Sequence, residues 1–413
     1  MLSFKAITLS TCALFILPTH ALPSNVEPFP TISTKPDCKD VTFTLGASAR
    51  TLGLWPWSVD TLLSTPLTTL FANGSALNYN FPISQTVNVT GGYCEPANGA
   101  HSRGTMTIEI LFKSWSMALA IQMHVNWAGN GFSGIGRDGQ DESSWVDYAV
   151  GMGHPTLTIN RLERGKSSRI DPKEMQFPLE VELVHQIIGQ ASAGMSPLRN
   201  LKFDKIIYTG HAYGSIIGNN LVVRYPADVD ALGKETFPSW FISTLTYNLN
   251  LFDSNPINKF VGPAKDIVPE RFASYEQGWT TFLDIVTLQQ FFYTPKIFDP
   301  RALQEDFKNR GVISIGEIAT ATAGPRAAFG FTGPVLIATG KDDLLFCGTG
   351  PLGSRADCGN ATSGQVANTR DIFPRSRNFE AYVVPNAGSA WLNHYVAREG
   401  IQHVHAWLRE VGL

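Results

Sequence analysis

Apolar and polar residues change rhythm several times along the chain, and each change predicts an element. From Val41 to Tyr93 they alternate as a half-buried strand requires, broken by turn residues and by a short helical pattern around Val59 to Leu70. Apolar runs at Thr105 to Phe112, Pro155 to Asn160, Ile206 to Gly210, Pro334 to Gly340 and Phe379 to Val384 predict buried strands. Helical patterns fall between or after them, at Ser144 to Met152, Phe177 to Ala193, the stretch leading to Arg224, and Val396 to Val411. Strands alternating with helices predict an α/β fold with a mostly parallel central sheet flanked by helices.

That rhythm stops between about Phe237 and Arg301, where aromatic residues such as Trp240, Phe252, Phe260, Trp279 and Phe291 crowd together. The segment is expected to be a helical cap inserted after the sixth core strand. Most of its rings should pack helix on sheet, and a minority should line a cavity. The expected organisation is a signal peptide over 1–21, an arm with peripheral strands over 22–104, core over 105–236, helical cap over 237–327 and core again over 328–413.

At 413 residues and 43% hydrophobic, the chain can bury one large core and an insert. A net charge of -3 with 16% charged residues gives no basic footprint, which argues against nucleic acid or an anionic membrane as partner. Lys5, the apolar run Ala6 to Leu17 and Pro18-Thr-His-Ala21 have the layout of a secretory signal cleaved near Ala21. The run is too short to span a bilayer comfortably, so no stable membrane anchor is expected, and the location implied is outside the cell or in the secretory lumen.

Cleavage removes Cys12 and leaves Cys38, Cys94, Cys347 and Cys358, whose chain proximity suggests the pairs Cys38–Cys94 and Cys347–Cys358. Asn73, Asn88 and Asn360 head glycosylation sequons. Neither cysteine pair is spaced like a zinc site, and the chain lacks a dinucleotide fingerprint and a phosphate loop. No cofactor or metal is therefore implied, and the oligomeric state is left open.

The candidate chemistry centres on Ile206 to Arg224, which reads as a buried strand, a glycine-pinched turn and a helix. Gly210-His211-Ala212-Tyr213-Gly214 has the frame of a nucleophile elbow, where small flanking residues allow the strained corner that lifts a serine oxygen above a sheet. The nucleophile's position holds Ala212.

With Tyr93-Cys-Glu-Pro96, Ser144-Trp-Val-Asp-Tyr-Ala149, Pro155-Thr-Leu-Thr-Ile-Asn-Arg-Leu162, Gly340-Lys-Asp-Asp-Leu-Leu-Phe-Cys347 and Pro385-Asn-Ala-Gly-Ser-Ala-Trp-Leu-Asn-His-Tyr395, the elbow makes most of the mature chain resemble the secreted fungal branch of the α/β-hydrolase superfamily. The resemblance implies the α/β-hydrolase fold and a triad in the order serine, acid, histidine. It places the serine at Ala212, the acid at Asp343 with Asp342 beside it, and the histidine at Ser389 after Gly388. The oxyanion loop falls at Lys113-Ser114, with His124 as a competing match. His211 and His394 match residues that relatives carry beside their catalytic groups, the Tyr213 N–H would point into the old oxyanion hole, and Ser215 would start the helix.

A methyl group at 212 cannot attack a carbonyl, and a serine at 389 cannot shuttle a proton at neutral pH. An engineered Ser→Ala change would explain Ala212 alone, but not Ser389 and Lys113. Three readings follow. One is a non-hydrolytic cyclase, isomerase or lyase-type catalyst on an apolar small molecule, in the setting of fungal secondary metabolism that the resemblance implies, with Asp343, Lys113, His394 and Tyr213 as its polar groups. Another is an ester, lactone or amide hydrolase rewired through Ser389 or Ser215 with His211 or His394. The third is a ligand-binding protein that kept the fold and lost the chemistry.

Overall fold

The computed structural model describes residues 37–55, 57–65, 80–96, 105–110, 144–198, 201, 203, 205–234, 257–293, 297–321, 327–348 and 357–413. The chain opens with a long antiparallel pair, β1 (Asp37–Thr51) and β2 (Phe81–Glu95), and α1 (Val59–Ser64) lies in the connection. Along β1 every second residue from Val41 to Thr51 is buried, as the alternation predicts. Cys38 faces Cys94 across the pair and is bonded to it, and Cys347 is bonded to Cys358. Both bridges are the ones that chain proximity suggests, and both are compatible with an oxidising compartment.

Next come β3 (Thr105–Ile110), α2 (Trp145–Gly151), β4 (Thr156–Ile159), α3 (Phe177–Ser192), β5 (Lys205–Gly210), α4 (Tyr213–Arg224) and β6 (Ala231–Lys234). After the inserted segment, β10 (Val335–Gly340) and β11 (Phe379–Val384) complete the sheet, with α8 (Leu344–Cys347) between them and α9 (Ala397–Glu410) at the end. The eight strands run in the order β1-β2-β4-β3-β5-β6-β10-β11, antiparallel in the first two pairings and parallel in the other five. Successive residues of one strand enter different cores. Ile206 and Tyr208 join the cluster under α3 and α4, while Ile207 joins Trp145, Trp391, Ile401 and Trp407 under α2 and α9. Burial on both faces explains why these strands read as continuous apolar runs.

The expected helical cap is corrected. Its described part combines helices with a three-stranded antiparallel sheet of β7 (Val261–Pro263), β8 (Trp279–Phe282) and β9 (Ile313–Ser314). Trp279-Thr-Thr-Phe282 has the β-branched and aromatic content of a strand. Its two threonine hydroxyls donate to the carbonyls of Ile313 and Gly311. Around this sheet lie α5 (Ile285–Phe292), α6 (Pro300–Lys308) and α7 (Ile315–Ala321). Phe260, Phe282, Phe291, Phe292 and Phe298 form this segment's own core, the packing role expected of most of its rings. Trp240 and Phe252 lie outside the described residues, as does the signal segment. Among the described residues no helix is long and apolar enough to cross a membrane.

Candidate functional site

The parallel strands bring their carboxyl ends to one edge of the sheet, where open α/β sheets place their ligands. At the end of β5 the backbone of Ala212 is forced to φ 50°, ψ -112°. A residue with a Cβ holds such a conformation at a cost of about 1–3 kcal/mol, so its surroundings must enforce it. They do. A Cβ on Gly210 would come 2.6 Å from the Gly214 backbone, so the strand and helix pack at glycine distance. The Ser215 hydroxyl donates to the Gly210 carbonyl at 2.6 Å, the Tyr208 hydroxyl to Gly214 O at 2.6 Å, and the Gly214 N–H to His211 O at 2.9 Å. The elbow keeps its strained shape around a methyl group.

At the end of β10 the fully buried Asp343 caps α8. Its Oδ1 accepts from the N–H groups of Leu345 and Phe346 at 3.0 and 3.1 Å, and its Oδ2 accepts from the Thr339 hydroxyl at 2.6 Å. Burial raises its pKa to about 6, and these donors act against the rise. The turn after β11 abuts this strand end, for a Cβ on Gly340 would lie 2.2 Å from the carbonyl oxygens of Ala387 and Gly388. That contact sets Ser389 beside Asp343. The Ser389 hydroxyl lies against the carboxylate and favours its charged form, and among the described residues it has no other partner. The His211 Nε2–H donates to the Ser389 carbonyl at 2.9 Å, tying the elbow to the turn after β11.

Thus the structure brings His211, Asp343 and Ser389 together at the elbow. His394 lies further along the same turn, where its Nε2 accepts from the Gly388 N–H at 3.4 Å and its backbone bridges to Phe298 of the inserted segment. Burial lowers its pKa to about 4, so it is neutral at physiological pH. Lys113, Ser114, His124 and Asn73 lie outside the described residues. Asn88 is exposed on β2, where its Oδ1 accepts from Thr44, and Asn360 is exposed with its Oδ1 accepting from Thr362 and Ser363. Among the described residues no group of His, Cys, Asp or Glu could hold a metal ion.

One constellation escaped the sequence reading. Arg161, just past β4, donates from Nε to Glu180 of α3 at 2.6 Å and also pairs with Glu317 of α7. All three are buried, at 7%, 3% and 1% exposure. The Arg161 guanidinium lies 4.8 Å from the ring centroid of Tyr213, whose phenol faces Glu180 and Thr320. Burial and the nearby Glu180 charge push the Tyr213 pKa well up. A glutamate inside the apolar run Phe177-Pro-Leu-Glu-Val181 is the one local sign of this arrangement.

No family model and no curated protein matches the chain. Solved structures do. A hypothetical protein from Pseudomonas aeruginosa aligns at 12% identity and a TM-score of 0.47, covering 95% of this chain and 98% of its own. An esterase from Pyrococcus furiosus aligns at 11% identity and a TM-score of 0.42, covering 79% of this chain and 87% of its own. Likeness at this level carries no argument about chemistry, which rests on the geometry above.

Proposed function

We propose that this chain is a secreted protein of the α/β-hydrolase fold whose elbow does not hydrolyse, and that it binds an apolar small molecule for a non-hydrolytic rearrangement of cyclase, isomerase or lyase type. One observation carries the reading. Of the two serine hydroxyls at the site, Ser215 is committed to the Gly210 carbonyl and Ser389 lies against Asp343, and among the described residues neither is joined to a histidine. An alcohol without a histidine to take its proton and pass it to the leaving group is a poor nucleophile at neutral pH, which argues against a rewired hydrolase.

The groups that remain suit chemistry without a nucleophile. The strained peptide after Ala212 fixes the direction of the Tyr213 N–H, a donor for developing negative charge on a ligand oxygen. Asp343, with a pKa of about 6, exchanges its proton near neutral pH, and Ser389 offers a buried hydroxyl next to it. A flexible substrate held close to its reactive shape needs little more. The two disulfides and the signal-like N-terminus support secretion, and the fungal setting rests on the resemblance alone.

A second reading, binding without turnover, is favoured by a different observation. Asp343 already accepts three hydrogen bonds, as a purely structural cap would. Labelling the native protein with a fluorophosphonate separates both from hydrolysis. The expected result is no adduct. A stoichiometric adduct on Ser215 or Ser389 would show an activated serine and overturn the proposal.

A further inference from the structure

We infer that Arg161 is the positioning residue of the elbow, acting through Tyr213 on the peptide that follows Ala212. The inference rests on the reading that the Tyr213 N–H serves a ligand oxygen. The direction of that N–H is set by ψ of Ala212 and φ of Tyr213, and the first of these belongs to a strained conformation that persists only where neighbours over-determine it. Hydrogen bonds of Gly210, His211, Gly214 and Ser215 hold the strand side of the turn. The Tyr213 side chain holds the helix side, and Arg161 is what holds that side chain.

The clamp is built from three layers. Arg161 comes from the carboxyl end of β4, Glu180 from the first turn of α3, and Glu317 with Thr320 from α7 at the end of the inserted segment. Glu317 is itself fixed, because it takes the Ser314 N–H at 2.6 Å while Ser314 Oγ accepts the Glu317 N–H at 2.9 Å. With Glu180 and Glu317 both on Arg161, the planar guanidinium lies over the Tyr213 ring in one orientation. The phenol is directed to Glu180 and Thr320. Replacing a buried ion pair by apolar residues is often neutral or stabilising, so such a group is better explained by a geometric task than by stability. The inserted segment thereby supplies part of the elbow's geometry.

The test uses the full secreted chain in four forms: native, Arg161→Met, Arg161→Lys and Glu317→Gln. Ile401→Ala, a truncation in the separate core under α9, is the control for general destabilisation. Amide hydrogen exchange over 212–216 is the first readout and needs no ligand. We expect Arg161→Met to speed exchange there at least tenfold beyond the control, and Arg161→Lys to fall between, because an ammonium keeps the charge but not the planar contact. Unchanged relative protection over 212–216 in Arg161→Met, or in Arg161→Lys and Glu317→Gln should the methionine variant not fold, overturns the inference.

Calorimetric binding of octanoate, an apolar chain with an anionic head, is the second readout. We expect at least tenfold weaker binding in Arg161→Met and native affinity in Ile401→Ala. If the native chain does not bind octanoate, the ligand reading loses its support while the exchange result still decides the role of Arg161. If octanoate binds with equal strength to native protein and Arg161→Met, the ligand reading stands and the positioning role fails.

Discussion

Two polar constellations meet at the elbow, and they are built from opposite materials. One is chiefly a matter of main-chain geometry: Ala212 sits at φ 50° with a methyl side chain, and the 385–389 turn abuts β10 and sets Ser389 beside Asp343. The Arg161 cluster is a matter of side-chain charge, with three charged groups almost fully buried and its glutamates paired with the guanidinium. A strained turn around Ala212 costs about 1–3 kcal/mol to hold, so its presence calls for a use. The contrast teaches that the direction of the peptide at 212–213 is the property this site is built to hold, and that the ion cluster belongs to it.

The sharpest way to break this comparison is to remove a charge on one side and add a hydroxyl on the other. Arg161→Met leaves two buried glutamates without their cation, and a loss of about 3–5 kcal/mol is expected by urea unfolding at pH 7. Ala212→Ser should change stability by less than about 1 kcal/mol, since one hydroxyl is added at the head of an intact turn. Equal effects would remove the distinction.

Acid should test the buried titratable groups next. His394 and His405, the latter buried on α9, have folded pKa values of about 4 and about 3, below the ordinary 6.5, so the unfolded chain binds more protons and their stability is lost as pH falls below 6.5. Together they forfeit about 6 kcal/mol by pH 4, at roughly 1.4 kcal/mol per unit. Asp343 has the opposite sign. Its folded pKa of about 6 exceeds the ordinary 3.8, so its contribution is complete below 3.8 and is lost as pH rises through 6, worth about 3 kcal/mol. The net expectation is a loss of about 3 kcal/mol between pH 6.5 and 4, deeper in Asp343→Asn, measured by unfolding at each pH.

Two glycine substitutions finish the scale. Gly340→Ala drives a methyl into the Ala387 and Gly388 carbonyls and should cost about 1–3 kcal/mol while moving Ser389 away from Asp343. Gly189→Ala, inside α3 with nothing near its Cβ, should stabilise by about 0.5–1 kcal/mol, read from the thermal midpoint.

The sequence made the sheet legible where strands are apolar and long enough to register, as at Ile206 to Gly210 and Pro334 to Gly340. The elbow was legible because its glycines have a mechanical reason to be 210 and 214. The small sheet of the inserted segment was not, since strands of two to four residues such as Ile313–Ser314 carry too few positions to show a period. Nor was the ion cluster. Arg161, Glu180 and Glu317 are far apart in the chain, and charged residues are expected at the surface unless a partner is known in advance.

Turnover of an activated ester by the native protein, set beside Ala212→Ser/Ser389→His, tests the central claim most directly. The double variant restores a serine on a preformed elbow and a histidine beside Asp343, and is expected to hydrolyse the ester at least a hundredfold faster than the native chain, whose rate should match the buffer. Native turnover equal to that of the double variant would contradict the account, because it would show that the elbow hydrolyses without the groups it lacks.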